Sequence, residues 1–308
     1  MHKLLLAVLA ALLGACSILP AEYNGARAPR QAIVAPLKSE RPLVALALGG
    51  GGTRGFAHIG VIRALEEAGI VPDIVTGASS GAVVAALYAG GHGPAELERI
   101  ALGMEQGDLV DFVLLGSGWI RGEALQEFVN REVQGRPIER LDKPFAVVAT
   151  AANSGRMVAF NRGDTGLAVR ASASVPNLFI PPVINGEPYV DGGLTSPVPV
   201  KVARAMGADI VIAVDVSWFA LARNAAGEGM EQHGRSARYP HLLAELDAAD
   251  IVVSPRTVRA RMLDFAHKKA NIEAGEAAGR EALPHLRELI ARAIATKQAR
   301  LPVAAGSN

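Results

Sequence analysis

The chain is poor in cysteine, in aromatic residues and in net charge of either sign. Its 308 residues include one cysteine, 5% aromatic and 20% charged side chains, with 31 basic against 30 acidic groups for a formal net charge of +1. A single cysteine excludes an internal disulfide and any cysteine-built zinc site. The near balance of charge removes the basic footprint of a nucleic-acid-binding surface. A hydrophobic fraction of 50% is the opposite of the disordered signature. What remains is a fold held by its own hydrophobic core, which a chain of this length buries readily. There is no H-E-x-x-H or EF-hand pattern, so the motifs call for neither a metal nor another cofactor.

Cys16 closes the segment MHKLLLAVLAALLGAC, in which Lys3 precedes an apolar run over 4–13 and the small residues Gly14 and Ala15. Ten apolar residues are too few to span a hydrocarbon layer of ~30 Å, and they fit the core of a secretory signal. A core helix would show a polar side, and this run shows none. Leu13-Gly14-Ala15-Cys16 resembles the lipobox of bacterial lipoproteins. That resemblance implies removal of residues 1–15, acylation of Cys16 and anchorage in the bacterial cell envelope; Ser17 in place of an aspartate favours the outer membrane, facing the periplasm. Cleavage also removes Lys3 and with it the net positive charge, so attachment is expected to rest on the lipid rather than on attraction to anionic head groups.

Pro20, Pro29, Pro36 and Pro42 punctuate a stretch without periodicity, read as a flexible tether over 16–41. Beyond it, short apolar runs alternate with helical patterns. Strands are expected over 43–48, 73–76, 145–150, 210–216 and 251–253, and helices over 57–68 and 82–89, with further helical stretches between and after. Strands apolar on both faces, interleaved with helices, predict an α/β fold with a largely parallel sheet covered by helices. The polar, glycine-containing stretch 220–238 reads as a mobile loop, expected to act as a lid, and 301–308 as a C-terminal tail.

The chemistry begins after the first of these strands, where Gly49-Gly50-Gly51-Gly52-Thr53-Arg54-Gly55 runs into a helix. Glycines let the backbone turn tightly and bring N–H groups to a helix N-terminus, which suits an anion or a developing oxyanion. The same residues satisfy G-x-G-x-x-G, but a dinucleotide site needs an acidic residue at the end of the second strand, and Asp73 stands at its beginning. The second strand leads into Gly77-Ala78-Ser79-Ser80-Gly81 and a helix of small residues. This is G-x-S-x-G in the strand-turn-helix context of a nucleophile elbow, with Ser79 the candidate nucleophile and the Ser80 backbone N–H a candidate oxyanion donor.

A serine needs a base. His92 lies in a glycine turn, His233 in the predicted loop, and His241, His267 and His285 in helical sequence; His58, on the helix after the glycine loop, reads as a packing or loop-fixing residue. Asp191 instead stands at the end of a short strand in a glycine turn, Tyr189-Val190-Asp191-Gly192-Gly193, and is the better candidate.

Together the Gly50–Gly55 loop, the Ser79 elbow and Asp191-Gly192-Gly193 resemble the patatin-like phospholipase family, as does Arg170-Ala171-Ser172-Ala173-Ser174-Val175-Pro176 ahead of the aspartate. Ile272-Glu273-Ala274-Gly275 is similar to the small bacterial branch of that family. The resemblance implies a three-layer α/β/α sandwich with a mostly parallel sheet, a single catalytic domain over 42–300. It further implies a Ser79–Asp191 dyad, an oxyanion hole from Gly50, Gly51, Gly52, Arg54 and Gly55, and Arg54 either fixing the loop or favouring an anionic head group. The implied substrate is an acyl ester of a membrane phospholipid or lysophospholipid. A hydrolase of other esters or thioesters, and a lipid-binding envelope lipoprotein without activity, are the alternatives. An aspartate with an ordinary pKa of about 3.9 is a weak base, so such a dyad depends on alignment and on oxyanion donors.

Overall fold

A computed structural model describes residues 22–33, 35–111, 120–217, 239–258 and 263–300. The expected signal segment 1–15, Cys16, the expected loop 220–238 and the expected tail 301–308 lie outside the described residues. The strands are β1 (Glu22–Tyr23), β2 (Val44–Leu48), β3 (Ile74–Ala78), β4 (Phe145–Ala151), β5 (Met157–Phe160), β6 (Val183–Ile184), β7 (Glu187–Asp191), β8 (Ile210–Val214) and β9 (Ile251–Val253). The helices are α1 (Ala57–Glu67), α2 (Ser80–Ala89), α3 (Pro94–Gly103), α4 (Glu123–Glu132), α5 (Thr165–Ala173), α6 (Val200–Ala205), α7 (Tyr239–Leu246) and α8 (Lys268–Arg300). The strands expected from the apolar runs are present with ends shifted by at most two residues.

One sheet runs in the order β1-β6-β7-β4-β3-β2-β8-β9, with β5 also paired to β4. Pairs β2–β3, β3–β4, β2–β8 and β8–β9 are parallel. Alternation along the strands sorts the two faces. Leu46, Leu48, Val75, Val147, Ile212 and Val214 face one core, covered by α1 to α5 and α8. Ala45, Ala47, Val211 and Ala213 face α6 and α7 on the other side. The result is a three-layer α/β/α sandwich, with small alanines letting the shorter helices approach the second face.

Local signals set the helix ends. Asp164 caps α5 by accepting from Leu167 N (2.7 Å), and Pro94 opens α3. The Asp111 carboxylate accepts from Gly122 N (2.6 Å) and Glu123 N (3.0 Å) at the head of α4. The long α8 crosses α1 at backbone contact: a Cβ on Gly60 would overlap the Ile272 carbonyl, and one on Gly275 the Ala57 carbonyl. This explains glycine at the end of Ile272-Glu273-Ala274-Gly275. Arg63 of α1 pairs with Glu98 of α3 and Glu276 of α8, bracing the same layer.

The predicted tether needs correction over its described part. β1 pairs with β6, Arg30 bridges Arg162, and Asn161 makes two bonds to the Ala32 backbone (2.7 and 2.9 Å). Further on, Leu37 N donates to Met206 O (2.9 Å), and Lys297 holds the carbonyls of Ser39 and Arg41. Prolines mark irregular backbone, and such backbone still docks when its amides find partners.

Candidate active site

The pairing around β4 brings the two candidate residues together. β5 occupies one edge of this strand, pairing Val147–Thr150 with Phe160–Met157. The other edge is shared: β3 pairs with Phe145–Val148 and β7 with Ala149–Ala151. β3 runs parallel to β4 and β7 antiparallel, so they meet end to end. Ala78 faces Val148 and Asp191 faces Ala149. Ser79 follows Ala78 directly, so the strand ends that carry Ser79 and Asp191 adjoin along one edge of β4 although they are far apart in the chain.

Ser79 has φ 53° and ψ −125° and caps the N-terminus of α2. A non-glycine residue there is strained, at a typical cost of about 1–3 kcal/mol. The surroundings hold it. Ser79 N donates to Ser172 Oγ (2.9 Å), and Ser172 is fully buried at the end of α5. Gly77 and Gly81 are required by contact, since a Cβ on Gly77 would strike the Ala82 backbone (2.6 Å) and one on Gly81 the carbonyls of Leu48 and Gly49. The glycines expected to relieve an elbow do so by close approach of backbones.

Asp191 is 1% exposed and ends β7 with φ −45° and ψ 129°, inside ordinary backbone space. Its Oδ1 accepts from Gly193 N (2.8 Å), its own N–H donates to Ser174 O (2.8 Å), and its carbonyl accepts from Thr150 Oγ1 (2.9 Å). Gly192 sits so close to β4 that a Cβ would overlap the Val148 carbonyl. Residues 172 and 174 thus each hold one member of the pair, through a side chain and a carbonyl. The sequence singled out this segment without assigning it a role.

The glycine loop is bonded at the Ser79 turn and to the segment that follows the Asp191 turn. Gly50 N donates to Pro197 O (3.1 Å), beyond the Asp191 turn, and Gly51 N donates to Ser80 Oγ (3.0 Å), beside the Ser79 turn. This narrows the five-residue oxyanion set, because the amides of Gly50 and Gly51 are already engaged. Gly50 packs against Ser79, a Cβ there meeting the serine Cβ at 3.0 Å. Gly55 abuts Ser80 in the same way, at 2.6 Å from its Oγ. Arg54 Nε donates to Gly51 O (3.1 Å), a loop-fixing contact. Gly52 opens the 3-10 turn Gly52–Phe56, where the first amides have no acceptor within the helix.

His58 supports the loop from beneath. It is fully buried, and its Nε2–H donates to Gly49 O (2.8 Å). Burial pushes the imidazole pKa down to about 4, the bond to the carbonyl opposing this in part, so the ring is neutral near pH 7. No histidine lines the cavity beside Ser79 among the described residues. Asp73 is occupied elsewhere, accepting from Val44 N (2.9 Å) and pairing with Arg41 at the start of β3.

Ser79 and Ser80 open onto an apolar cavity between α1, α2 and α3. Apart from Thr53 and these two serines, its lining is glycine and apolar side chains, among them Phe56, Val83, Leu87 and Phe179. Nothing in the residue pattern alone indicated this cavity. Among the described residues no group of three or more His, Cys, Asp and Glu is arranged to hold a metal ion, and no helix is long and apolar enough to cross a membrane.

A mostly parallel sheet between helical layers, with a serine elbow and an acidic turn meeting at strand ends, defines an α/β class in which such turns carry the site. The chain belongs to the patatin-like phospholipase family, whose model matches residues 46–204. It is 38% identical over 182 residues to an uncharacterized NTE family protein of Mycobacterium bovis, covering 58% of this chain and 50% of that protein. It is 35% identical over 182 residues to patatin-like phospholipase domain-containing protein 6 of Mus musculus, covering 56% of this chain and 13% of that one. The chain thus spans at most about half the length of these two relatives. In fold it is similar to the crystal structure of VipD from Legionella pneumophila, with a TM-score of 0.53 and 14% identity over 84% of this chain and 67% of that one.

Proposed function

We propose that the protein is a serine acyl hydrolase that cleaves fatty-acyl esters of phospholipids or lysophospholipids. The observation that carries this reading is the apolar cavity opening directly on a strained serine at the head of α2. An acyl chain lodged there brings its ester carbonyl to Ser79. The Asp191 carboxylate accepts the hydroxyl proton as Ser79 Oγ attacks. The tetrahedral oxyanion is met by donors of the glycine turn, with the Gly52 amide foremost, and by the Ser80 amide. Collapse expels the alcohol, which takes the proton from Asp191. Water then attacks the acyl-enzyme with Asp191 again as base, releasing the fatty acid and restoring the dyad.

The test is incubation of purified protein with glycerophospholipid vesicles and mass spectrometry of the products. Free fatty acid with lysolipid or glycerophosphodiester is the expected result, abolished in Ser79→Ala. Release from simple esters or thioesters alone would move the substrate class, and no acyl release from any of them would leave a lipid-binding protein.

The location follows a separate line. Acylation of Cys16 after loss of 1–15 would fix the protein to the bacterial envelope, at the periplasmic side of the outer membrane. Replacing Cys16 by Ser should then release it from membranes, whereas salt washing of the unaltered protein should not. The stretch 220–238 would act as a lid, and deletion with unchanged activity and interfacial activation would overturn that role.

A further inference from the structure

The cavity beside Ser79 has a depth that can be read from the helix that walls it. Ser80, Val83, Val84 and Leu87 recur on one face of α2, and Leu97 and Ala101 face the same space from α3. Burial deepens away from the serine. Ser79, Ser80 and Val83 are partly exposed, while Val84, Leu87, Ala101 and Leu97 are 9%, 4%, 3% and 2% exposed. Along α2 the slot therefore runs inward from the elbow as far as Leu87, which Leu97 faces from α3. From Ser80 to Leu87 the helix advances about 10 Å. Helical side chains lean toward the N-terminus, so Leu87 tilts back toward the serine and shortens the slot rather than extending it.

We propose that Leu87 and Leu97 form the floor of the acyl slot and limit the chain it buries to no more than about eight carbons, at roughly 1.3 Å of advance for each extended carbon–carbon bond of ~1.5 Å. This rests on Ser79 as the acylated residue. Chains up to that length gain burial with each methylene. Longer chains must leave their terminal carbons outside the slot or displace packed core.

Esters of one alcohol with acyl chains of four to sixteen carbons test this. For the unaltered protein kcat/KM should rise about fourfold per methylene up to near eight carbons and then level or fall. Leu87→Ala should move the optimum to longer chains by two or more carbons, and Ala101→Leu should move it to shorter ones. Should Leu87→Ala fail to fold, Leu87→Val should give a smaller shift in the same direction. A continuous rise to sixteen carbons, or an optimum that these substitutions leave in place, would overturn the proposal. Calorimetric binding of octanoate and hexadecanoate to Ser79→Ala examines the slot without chemistry. Preference for octanoate in a protein that hydrolyses no ester would sustain the floor and remove the hydrolase reading. Hydrolysis without a break in chain length would do the reverse.

Discussion

The turn at Ser79 and the turn at Asp191 both end a strand and begin a helical segment, yet they present their side chains by different means. Ser79 holds a backbone conformation that few non-glycine residues adopt, at φ 53° and ψ −125°, whereas Asp191 sits in ordinary space at φ −45° and ψ 129°. The serine turn is kept in place from outside, by the Ser172 hydroxyl and by backbones pressed against Gly77 and Gly81. The aspartate turn is kept in place by sheet pairing with Ala149 and by its own carboxylate bonding Gly193. A candidate nucleophile must stand clear of the sheet to be reached, and that exposure requires strain; a buried candidate base needs only a fixed address. Disturbing the two turns should therefore have different consequences.

The largest effect is on turnover. Ser79→Ala should lower kcat for acyl-ester hydrolysis by about 10⁴-fold or more and abolish fluorophosphonate labelling. Asp191→Asn should cost about 10³- to 10⁴-fold with the fold intact. Equal labelling of the unaltered protein and Ser79→Ala, or full activity in Asp191→Asn, would dissolve the comparison at its root.

Next in size is the response to acid of the loop that joins the turns. His58 is neutral when folded, with a pKa near 4, and near 6.5 when unfolded, so between these values the unfolded chain binds the extra proton. Stability should fall as pH drops from about 6.5 to 4, by roughly 3 kcal/mol, and no further through this group below that. Urea unfolding across this range should show the slope, and His58→Gln should flatten it.

Smaller again is the loss expected from the serine turn's outside support. Ser172→Ala removes the acceptor of the Ser79 amide and should lower kcat about tenfold with KM little changed, the mark of a positioning residue. A change confined to the melting temperature would make Ser172 structural only. The smallest effect separates the two turns most sharply. Ser79→Gly relieves the strained backbone and should raise unfolding stability by about 1 kcal/mol while eliminating activity. Asp191→Ala loses the bond to Gly193 and should lower stability by about as much. Destabilisation by both would mean that no strain is stored at the serine.

Much of this site was legible in the chain because its parts are local. The elbow needs glycines within two residues of Ser79, the acidic turn needs them directly after Asp191, and each pattern survives without knowledge of what lies opposite. His58 could be read as loop-fixing because it stands second in the helix that follows the loop. The engagement of the Gly50 and Gly51 amides was not legible, since their acceptors, the Pro197 carbonyl and the Ser80 hydroxyl, come from other parts of the chain. Nor was the docking of 22–33 and 35–41, because proline spacing describes backbone conformation and says nothing of the partners that irregular backbone finds.

By itself the sequence determined which residues are candidates for chemistry, the alternation of strands and helices, and the shapes of the turns, all consequences of dihedral preference and apolar spacing over a few residues. Tertiary structure decided that β3 and β7 share one edge of β4 and so meet head to head, that Ser172 and Ser174 hold both turns, and that packed helices leave an apolar slot at the serine. Those features depend on strand pairing and side-chain packing between distant segments, and local preference leaves such pairings open until the core closes around them.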